Sequence, residues 1–129
     1  MLRKISSTKN IQYILSKVNH ENIEYITVNH VKEDFKNKTL YEFIVNKKPV
    51  GIVSVIFDND FNYFYIKRLL VFKKGKGYAK RILQSVLKEY PICAITPFES
   101  NKAMLKIIKE LGFEYQYTFL ENYLLYVKK

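Results

Sequence analysis

The stretch LLVFKKGKGYAKRIL, residues 69–83, passes from an apolar strand pattern to an amphipathic helix pattern through a turn with two glycines. Glycine weakens both strands and helices, and adjacent lysines repel one another, so this composition does not serve local stability. The first N–H groups of a helix lack partners within it, and the helix dipole adds roughly half a positive charge there. Gly75 and Gly77 allow a tight turn and a close approach of a ligand, and positive charge comes from the neighbouring lysines, Lys74, Lys76 and Lys80. The stretch therefore predicts a phosphate or diphosphate site.

The charge around this stretch is one-sided. The chain has 129 residues and a formal net charge of +10, and no acidic residue lies between Phe61 and Lys88. That window holds eight bases, which are Lys67, Arg68, Lys73, Lys74, Lys76, Lys80, Arg81 and Lys88. Such a field suits phosphates, nucleic acid or an anionic surface, and a basic face kept for solubility is the alternative.

Length and composition limit the class of protein. We expect residues 1–129 to form a single domain, because this length supports one packed core. No apolar run reaches the roughly 18 residues of a membrane span, and MLRKISSTKN lacks the apolar run of a signal peptide. The one cysteine, Cys93, excludes an internal disulfide framework and a multi-cysteine zinc site. We therefore expect a cytoplasmic protein with no membrane association and no metal.

The N-terminal half predicts one helix followed by antiparallel strands. Ile11, Ile14, Leu15 and Val18 follow helical spacing after the candidate caps Ser7 and Thr8. Residues 19–38 are ambiguous and suggest a short strand at 23–28 and then a polar helix. The segments TLYEFIV and VGIVSVIF form a hairpin around NKKP, and FNYFYIKRLL follows the turn DND as a third strand. Short turns join these strands, which makes them antiparallel.

The C-terminal half alternates helices with strands. An apolar face from Ala79 to Tyr90 predicts a helix that Pro91 ends, and ICAIT predicts a short buried strand. Ser100 is the predicted cap of a second helix, which stops at Gly112. FEYQYTFL and NYLLYVKK then form a closing hairpin. The sequence therefore predicts an α/β fold with a mixed sheet.

Two phosphate-binding motifs do not fit the loop. GKGYAK lacks the spacing and the hydroxyl of a P-loop, and it ends in Lys80 where a dinucleotide-binding fingerprint has glycine. The segment KGKGYA, residues 74–79, resembles instead the coenzyme-binding motif of the GNAT superfamily of acetyltransferases. The later segment NKAM…ELGF, within residues 101–113, resembles the asparagine-headed helix and Leu-Gly-Phe end of the same superfamily. The resemblance covers residues 40–129 and implies a mixed, mostly antiparallel twisted sheet of six to seven strands flanked by three to four helices.

The resemblance implies acetyl-coenzyme A as donor. The diphosphate would lie on the amides of the loop and helix start, which are Gly75, Lys76, Gly77, Tyr78 and Ala79. The pantetheine arm would run between the strand ending near Leu69 and the strand ICAIT, paired with backbone groups of Leu69 and Val71. A backbone N–H near Leu69 would polarise the thioester carbonyl. Asn101 would contact the arm or order its loop, or would be an ordinary residue at a helix start.

The catalytic residues that the resemblance implies are missing. Many members carry a glutamate on the strand before the loop, where this chain has Tyr63 and Tyr65. Many carry a tyrosine four residues before the Leu-Gly-Phe glycine, where this chain has Ile108. The substitutes considered are Tyr63, Tyr65, Tyr123, Glu114 and Glu121, each of which also fits a plain strand or turn position. His20 and His30 are candidate bases or surface residues, and Cys93 fits a core position better than a nucleophile.

Three functions follow from these observations. The first is an N-acetyltransferase that moves an acetyl group to a small-molecule or peptide amine by direct attack in a ternary complex. The second is a non-catalytic coenzyme A-binding domain of the same fold, and the third is a basic nucleic-acid-binding module, with nucleic acid the less expected partner. The basic surface disfavours polyamine acceptors and suits neutral or acidic ones. The sequence leaves the acceptor unknown and a homodimer open.

Overall fold

The computed structural model describes residues 1–5, 8–21, 26–73 and 75–129, and for residues 8–10 and 19–21 it describes the backbone only. The described elements are, in chain order, β1 Leu2–Lys4, α1 Thr8–Glu21, α2 Val28–Lys36, β2 Leu40–Val45, β3 Lys48–Asp58, β4 Tyr63–Val71, α3 Tyr78–Glu89, β5 Cys93–Ile95, α4 Lys102–Glu110, β6 Glu114–Phe119 and β7 Tyr123–Lys128. Within those ranges, no helix has the length and apolar character that crossing a membrane requires.

The strands form one mixed sheet in the order β1-β2-β3-β4-β5-β7-β6. All neighbouring pairs are antiparallel except β4 and β5, which are parallel. The β2–β3 turn places Asn46 and Lys47 at positive φ, 51° and 66°, which is the hairpin turn that matches strand twist. At the β3–β4 turn, the Asp58 carboxylate accepts hydrogen bonds from the N–H groups of Asp60 and Phe61. These pairings confirm the predicted α/β fold with a mixed, mostly antiparallel sheet.

Helices cover both faces of the sheet, but the pair on each face packs on a different set of strands. On one face α3 and α4 pack on the main core, whose fully buried members include Val53, Ile82, Leu83, Val86 and Ile108. On the other face α1 and α2 cover the β2–β3 side and the C-terminal half of β4, around Leu40, Ile52, Leu70 and Phe72. A Cβ on Gly51 would lie 2.7 Å from the Leu70 carbonyl oxygen and 2.8 Å from Ile82 Cδ1, so glycine lets α3 approach β3 closely.

Three local predictions were wrong or incomplete. Strand β1 was not predicted, since three residues carry too little alternation to be recognised. The strand predicted at 23–28 does not form in its described part, because Thr27 caps α2 and Val28 is the first residue of that helix. Residues 22–25 lie outside the described residues. The candidate cap Ser7 also lies outside them. Ser100 does not cap α4, because Asn101 takes that position.

Candidate functional site

An extra residue in β4 changes the direction in which its backbone groups point. The register with β3 passes from Val55 opposite Ile66 to Ser54 opposite Arg68, so Lys67 is left without an opposite residue. Before this bulge, the N–H of Phe64 donates to the carbonyl of Ile92, towards β5, at 3.1 Å. Alternation without a bulge would therefore direct every even-numbered residue of β4 towards β5.

Beyond the bulge the even-numbered residues face β3 instead. The N–H of Phe72 donates to the carbonyl of Val50, on β3, at 2.9 Å. The odd-numbered residues Leu69 and Val71 therefore direct their backbone N–H and C=O groups away from β3, towards the β5 side. These are the two residues to which the resemblance assigned the pantetheine contacts, and those contacts stay a prediction.

The neighbouring strand β5 ends before it reaches those backbone groups. It pairs with β4 over three residues, from Phe64 opposite Cys93 to Ile66 opposite Ile95, whereas β4 continues to Val71. Among the described residues, the C-terminal half of β4 has strand pairing on its β3 side alone. The two parallel strands thus part, and among the described residues the backbone groups of Leu69 and Val71 have no strand partner on the β5 side. We call the gap between the two strands the donor cleft.

The glycine loop lies at the end of β4. Gly75 and Gly77 have φ of 81° and 74°, values that residues with a Cβ rarely adopt, so the backbone conformation accounts for both glycines. A Cβ built on either would meet no atom of the described residues within 4 Å. Gly77 occupies the N-cap of α3, and no described side chain caps that helix. The N–H groups of the first turn therefore have no side-chain cap among the described residues. Lys74 lies outside the described residues.

The lysines around the loop differ in their partners. Lys73 and Lys76 are exposed. Lys80 Nζ lies 3.1 Å from Glu110 Oε2 on α4, in an exposed ion pair of the kind that contributes about 0–1 kcal/mol. The Arg81 guanidinium lies over the rings of Phe43 and Tyr78, 5.5 and 5.8 Å from their centroids. Lys76 is thus the described loop lysine that fits the expected mobile charge, while Lys80 ties α3 to α4.

Asn101 begins α4, the helix that follows β5. Its side-chain oxygen accepts a hydrogen bond from the N–H of Met104 at 3.2 Å, as an N-cap does. This bond supports the helix-start interpretation of Asn101. A contact with the pantetheine arm stays a prediction.

The three candidate tyrosines lie on the same sheet face, opposite α3 and α4. Tyr63 and Tyr65 pack against the small cluster of Ala94, Leu125 and Val127. The Tyr65 hydroxyl is hydrogen-bonded to Thr96 Oγ1, next to the point where β4 and β5 part. Tyr123 stacks on Phe98 and Phe119, with centroid distances of 4.3 and 5.6 Å.

Tyr63 stays neutral near pH 7. Burial is the main reason that its pKa is raised above 10, and the nearby Asp58 carboxylate and the neighbouring side chains of Tyr117 and Tyr65 raise it further. A neutral phenol donates protons and does not remove them from an amine at neutral pH. The raised pKa therefore argues against Tyr63 as the base that takes a proton from the acceptor amine.

The other candidates have structural surroundings. Ile108 is fully buried in the main core. His30 Nδ1 accepts the N–H of Thr27 in the capping box of α2, and the side chain of His20 lies outside the described residues. Burial raises the pKa of Cys93 to about 12, and its thiol donates to the Tyr90 carbonyl, so Cys93 is a core residue. Glu114 and Glu121 are exposed on β6 and on the β6–β7 turn.

Comparisons with solved structures identify the fold. No family model and no curated protein sequence matches the chain. A GNAT-family acetyltransferase from Streptococcus agalactiae aligns with a TM-score of 0.81 at 19% identity, over 99% of this chain and 94% of the other. The ribosomal-protein-S18-alanine N-acetyltransferase from Escherichia coli aligns with a TM-score of 0.78 at 10% identity, over 99% and 92%. The protein has the GNAT fold. The resemblance seen in KGKGYA and NKAM…ELGF predicted this correctly.

A third solved structure has the same GNAT fold and holds a ligand. The NatC complex bound to Gag peptide and CoA aligns with a TM-score of 0.66 at 16% identity, over 98% of this chain and 95% of the other.

Within the described residues of the present chain, histidine, cysteine and carboxylate side chains form no group of three that could hold a metal ion.

The GNAT fold of this chain contains an anchor that sequence reasoning missed. Arg68, the residue after the bulge, donates from Nη1 to Oδ1 of the buried Asp34 on α2 at 2.6 Å. Lys67 Nζ lies 3.8 Å from Glu33 and 4.0 Å from Asp34. Both bases of the bulge thus contact α2 and fix that helix against the strand that forms the cleft. No local pattern indicates this contact, because its partners lie far apart in sequence.

Proposed function

We propose that the protein is an N-acetyltransferase that takes an acetyl group from acetyl-coenzyme A and transfers it to an amine in a ternary complex. One observation carries the proposal. A cleft lined by backbone groups of Leu69 and Val71 ends at a helix start that has two positive-φ glycines and no described side-chain cap. A ligand with amides in its middle and a diphosphate at its end is complementary to both parts.

The donor would bind through main-chain groups above all. The diphosphate would accept hydrogen bonds from amides of residues 75–79, where the space beyond each glycine Cα is open. Lys76, Lys80 and Lys74 would add positive charge, with Lys80 exchanging its exposed contact to Glu110. The pantetheine amides would pair with Leu69 and Val71 as an added strand does, in the space that β5 leaves. The NatC structure, which has the same fold, contains CoA.

The reaction would need little help from side chains. The amine nitrogen would bond to the thioester carbonyl carbon while the N–H of Leu69 stabilises the charge on its oxygen. The carbon–sulfur bond would then break, the thiolate would leave, and the surplus proton of the amine would pass to water. A thiol has a pKa of about 8.5, so the thiolate is an adequate leaving group without a dedicated acid. Alignment of the two reactants would supply most of the rate.

A non-catalytic coenzyme A-binding domain is the second candidate. It is favoured by the absence of a carboxylate from the sequence of β4 and by the burial of Ile108, which leaves no proton donor at that position. We do not propose the nucleic-acid-binding module. That hypothesis needs aromatic rings within the basic surface, and Tyr63 and Tyr65 lie on the sheet face opposite the one that α3 covers.

Binding and turnover separate the candidates. We expect acetyl-coenzyme A and coenzyme A to bind with micromolar Kd and to stabilise the fold by about 2.7 kcal/mol at 100 times Kd. Calorimetry and thermal unfolding measure this at moderate salt, and thiol release with a panel of amines measures transfer. Absence of both heat and thermal shift at saturating coenzyme would refute the site. Tight binding without thiol release for any amine would favour the non-catalytic domain.

A further inference from the structure

Several stretches of the chain contain no lysine or arginine, although the whole chain has 22, and three of them include parts of the strands from β3 to β7. These three are residues 56–66, 91–101 and 113–127. Their five acidic residues are Asp58, Asp60, Glu99, Glu114 and Glu121. In a chain of net charge +10, such segments are the counterpart of the acid-free window around the glycine loop.

The fold brings the three segments together at one end of the sheet. The first forms the end of β3, the turn and the start of β4; the second contains β5 and the loop after it; the third forms the β6–β7 hairpin. These strands are neighbours in the order β3-β4-β5-β7-β6. These three segments therefore form one continuous region of the sheet that contains no lysine or arginine.

Aromatic side chains cover one face of that region. We name this face the tyrosine face and define it by five residues, Tyr63, Tyr65, Tyr117, Phe119 and Tyr123. Tyr117 lies opposite Leu125, and Phe119 lies opposite Tyr123, so these side chains share the face of Leu125. Ring centroids are 6.3 Å apart for Tyr117 and Phe119, and 5.6 Å apart for Phe119 and Tyr123. Tyr117 is 51% exposed.

The described parts of α1 and α2 do not cover the tyrosine face. Their apolar side chains pack with Leu40, Ile52, Leu70 and Phe72, at the other side of the sheet. The apolar cluster beneath the tyrosine face contains strand residues alone among those described. The face is therefore open to a ligand in the described part of the structure.

The tyrosine face adjoins the donor cleft. Tyr65 is bonded to Thr96, and Ile66 and Ile95 form the last pair before β4 and β5 separate. The nearest bases along β4 are Lys67 and Arg68, and both lie against acidic groups of α2. On the face itself, Asp58 lies opposite Tyr63, and Glu114 lies opposite Val127. An acceptor on this face thus meets rings and carboxylates.

We propose that the tyrosine face binds the acceptor and selects a small linear amine that carries a second positive charge. This inference rests on the proposed acetyltransferase function. A cation over an exposed aromatic ring gains about 0.5–1 kcal/mol, and the carboxylates add a local attractive field. The Debye length at physiological salt is about 8 Å. Basic residues that lie farther than this from the tyrosine face therefore repel a cation on it only weakly.

The size of the face favours a small molecule. Its rings lie on β4, β7 and β6, with β5 between β4 and β7, and the three strand spacings from β4 to β6 amount to about 14 Å. That length accommodates an extended diamine from end to end. This proposal differs from the expectation of a neutral or acidic acceptor, which rested on the basic surface of the chain.

Three amines of equal chain length test the proposal, namely 1,5-diaminopentane, 1-aminopentane and 5-aminopentanoic acid. Their far ends are positive, neutral and negative. We expect the diamine to have the lowest KM in acetyl transfer and the lowest Kd when titrated into protein saturated with coenzyme A, by at least tenfold over the neutral amine. The preference should fall as salt rises. Equal values for the three amines, or a preference for the acid, would overturn the proposal.

Variants test whether residues of the tyrosine face cause the preference for the diamine. Glu121→Lys combined with Glu114→Lys, and separately Tyr117→Ser, should raise the KM and Kd for the diamine about fivefold or more and leave the Kd of acetyl-coenzyme A unchanged. Glu89→Lys, at an exposed residue of α3, is a control for altered charge outside the tyrosine face, and it should leave the diamine values unchanged. A loss of the diamine preference in this control alone would refute the assignment to the tyrosine face.

The two proposals fail in different ways. Loss of coenzyme binding in the wild type would remove the proposed function itself. Coenzyme binding with turnover of a lysine-bearing peptide and no binding of the diamine would leave the acetyltransferase in place and refute the small diamine. The calorimetric titration measures the preference even if no amine is acetylated.

Discussion

Two strand–loop–helix units lie side by side in this protein, and they begin their helices differently. In one, β4 leads through the glycine loop to α3; in the other, the parallel strand β5 leads through residues 96–101 to α4. Asn101 caps α4 through a hydrogen bond from Met104 N–H. Gly77 begins α3 at φ 74°, and no described side chain caps it.

The difference shows what each helix start is suited for. A side-chain cap stabilises a helix by about 1 kcal/mol, and α3 lacks that contribution. Its buried residues Ile82, Leu83 and Val86 hold it on the sheet instead. The uncapped amides therefore remain available to an anion. Substitutions in the first unit should change binding, and substitutions in the second should change stability.

The largest expected effect is at Gly77. Gly77→Val should weaken coenzyme A binding at least 100-fold, about 2.7 kcal/mol, because its side chain would occupy the open space beside the amides and resist positive φ. Gly77→Asn adds a side chain but tolerates positive φ, and it should also weaken binding, by about tenfold. Calorimetric Kd values and circular dichroism measure both effects.

Gly112 offers a matched control for Gly77. It also has positive φ, 90°, but it follows α4, and a Cβ there would meet Lys128 Nζ at 2.9 Å. Gly112→Asn should leave the Kd of coenzyme A unchanged. If Gly77→Asn binds as tightly as wild type while Gly77→Val does not, backbone strain and not occlusion is the cause, and the open space is not the diphosphate site.

The next effect is at Ile108, in the second unit. Ile108→Tyr would restore the tyrosine that the resemblance implies at this position, but the fully buried position predicts overpacking instead. We expect a loss of about 1–3 kcal/mol in the free energy of unfolding and no gain in transfer rate. Denaturant unfolding and single-turnover transfer measure the two quantities. A variant of normal stability with faster transfer would show that position 108 reaches the sulfur.

Much of the fold could be predicted because its signals are local. The glycine turn, the helix face from Ala79 to Tyr90 and the two hairpins each lie within a short stretch of sequence. The bulge at Lys67 could not be predicted, since it depends on how β3 and β4 pair. The contact of Arg68 with Asp34 joins residues on separate elements, and no periodicity indicates it.

The same reason limited the prediction of the site. The loop glycines were recognised from one stretch, and their positive φ agrees with that interpretation. The tyrosine face was not recognised, because Tyr65, Tyr117 and Tyr123 come from three elements and each one alone fits an ordinary strand. The absence of lysine and arginine from three separate segments could have indicated this face. It points to one surface only when the strand order shows that the three segments are neighbours.

The smallest expected effect is at Asn101, and it decides between the two interpretations of that residue. Asn101→Ala removes the acceptor for the Met104 N–H and should lower the free energy of unfolding by about 1 kcal/mol. Asn101→Asp keeps a capping oxygen and should restore the stability, while it removes the amide N–H₂ that could donate to a ligand. If Asn101 is only a cap, both variants should bind coenzyme A with the wild-type Kd. A Kd that rises severalfold in both variants, with stability normal in Asn101→Asp, would instead show that the amide contacts the donor and that the start of α4 also takes part in binding.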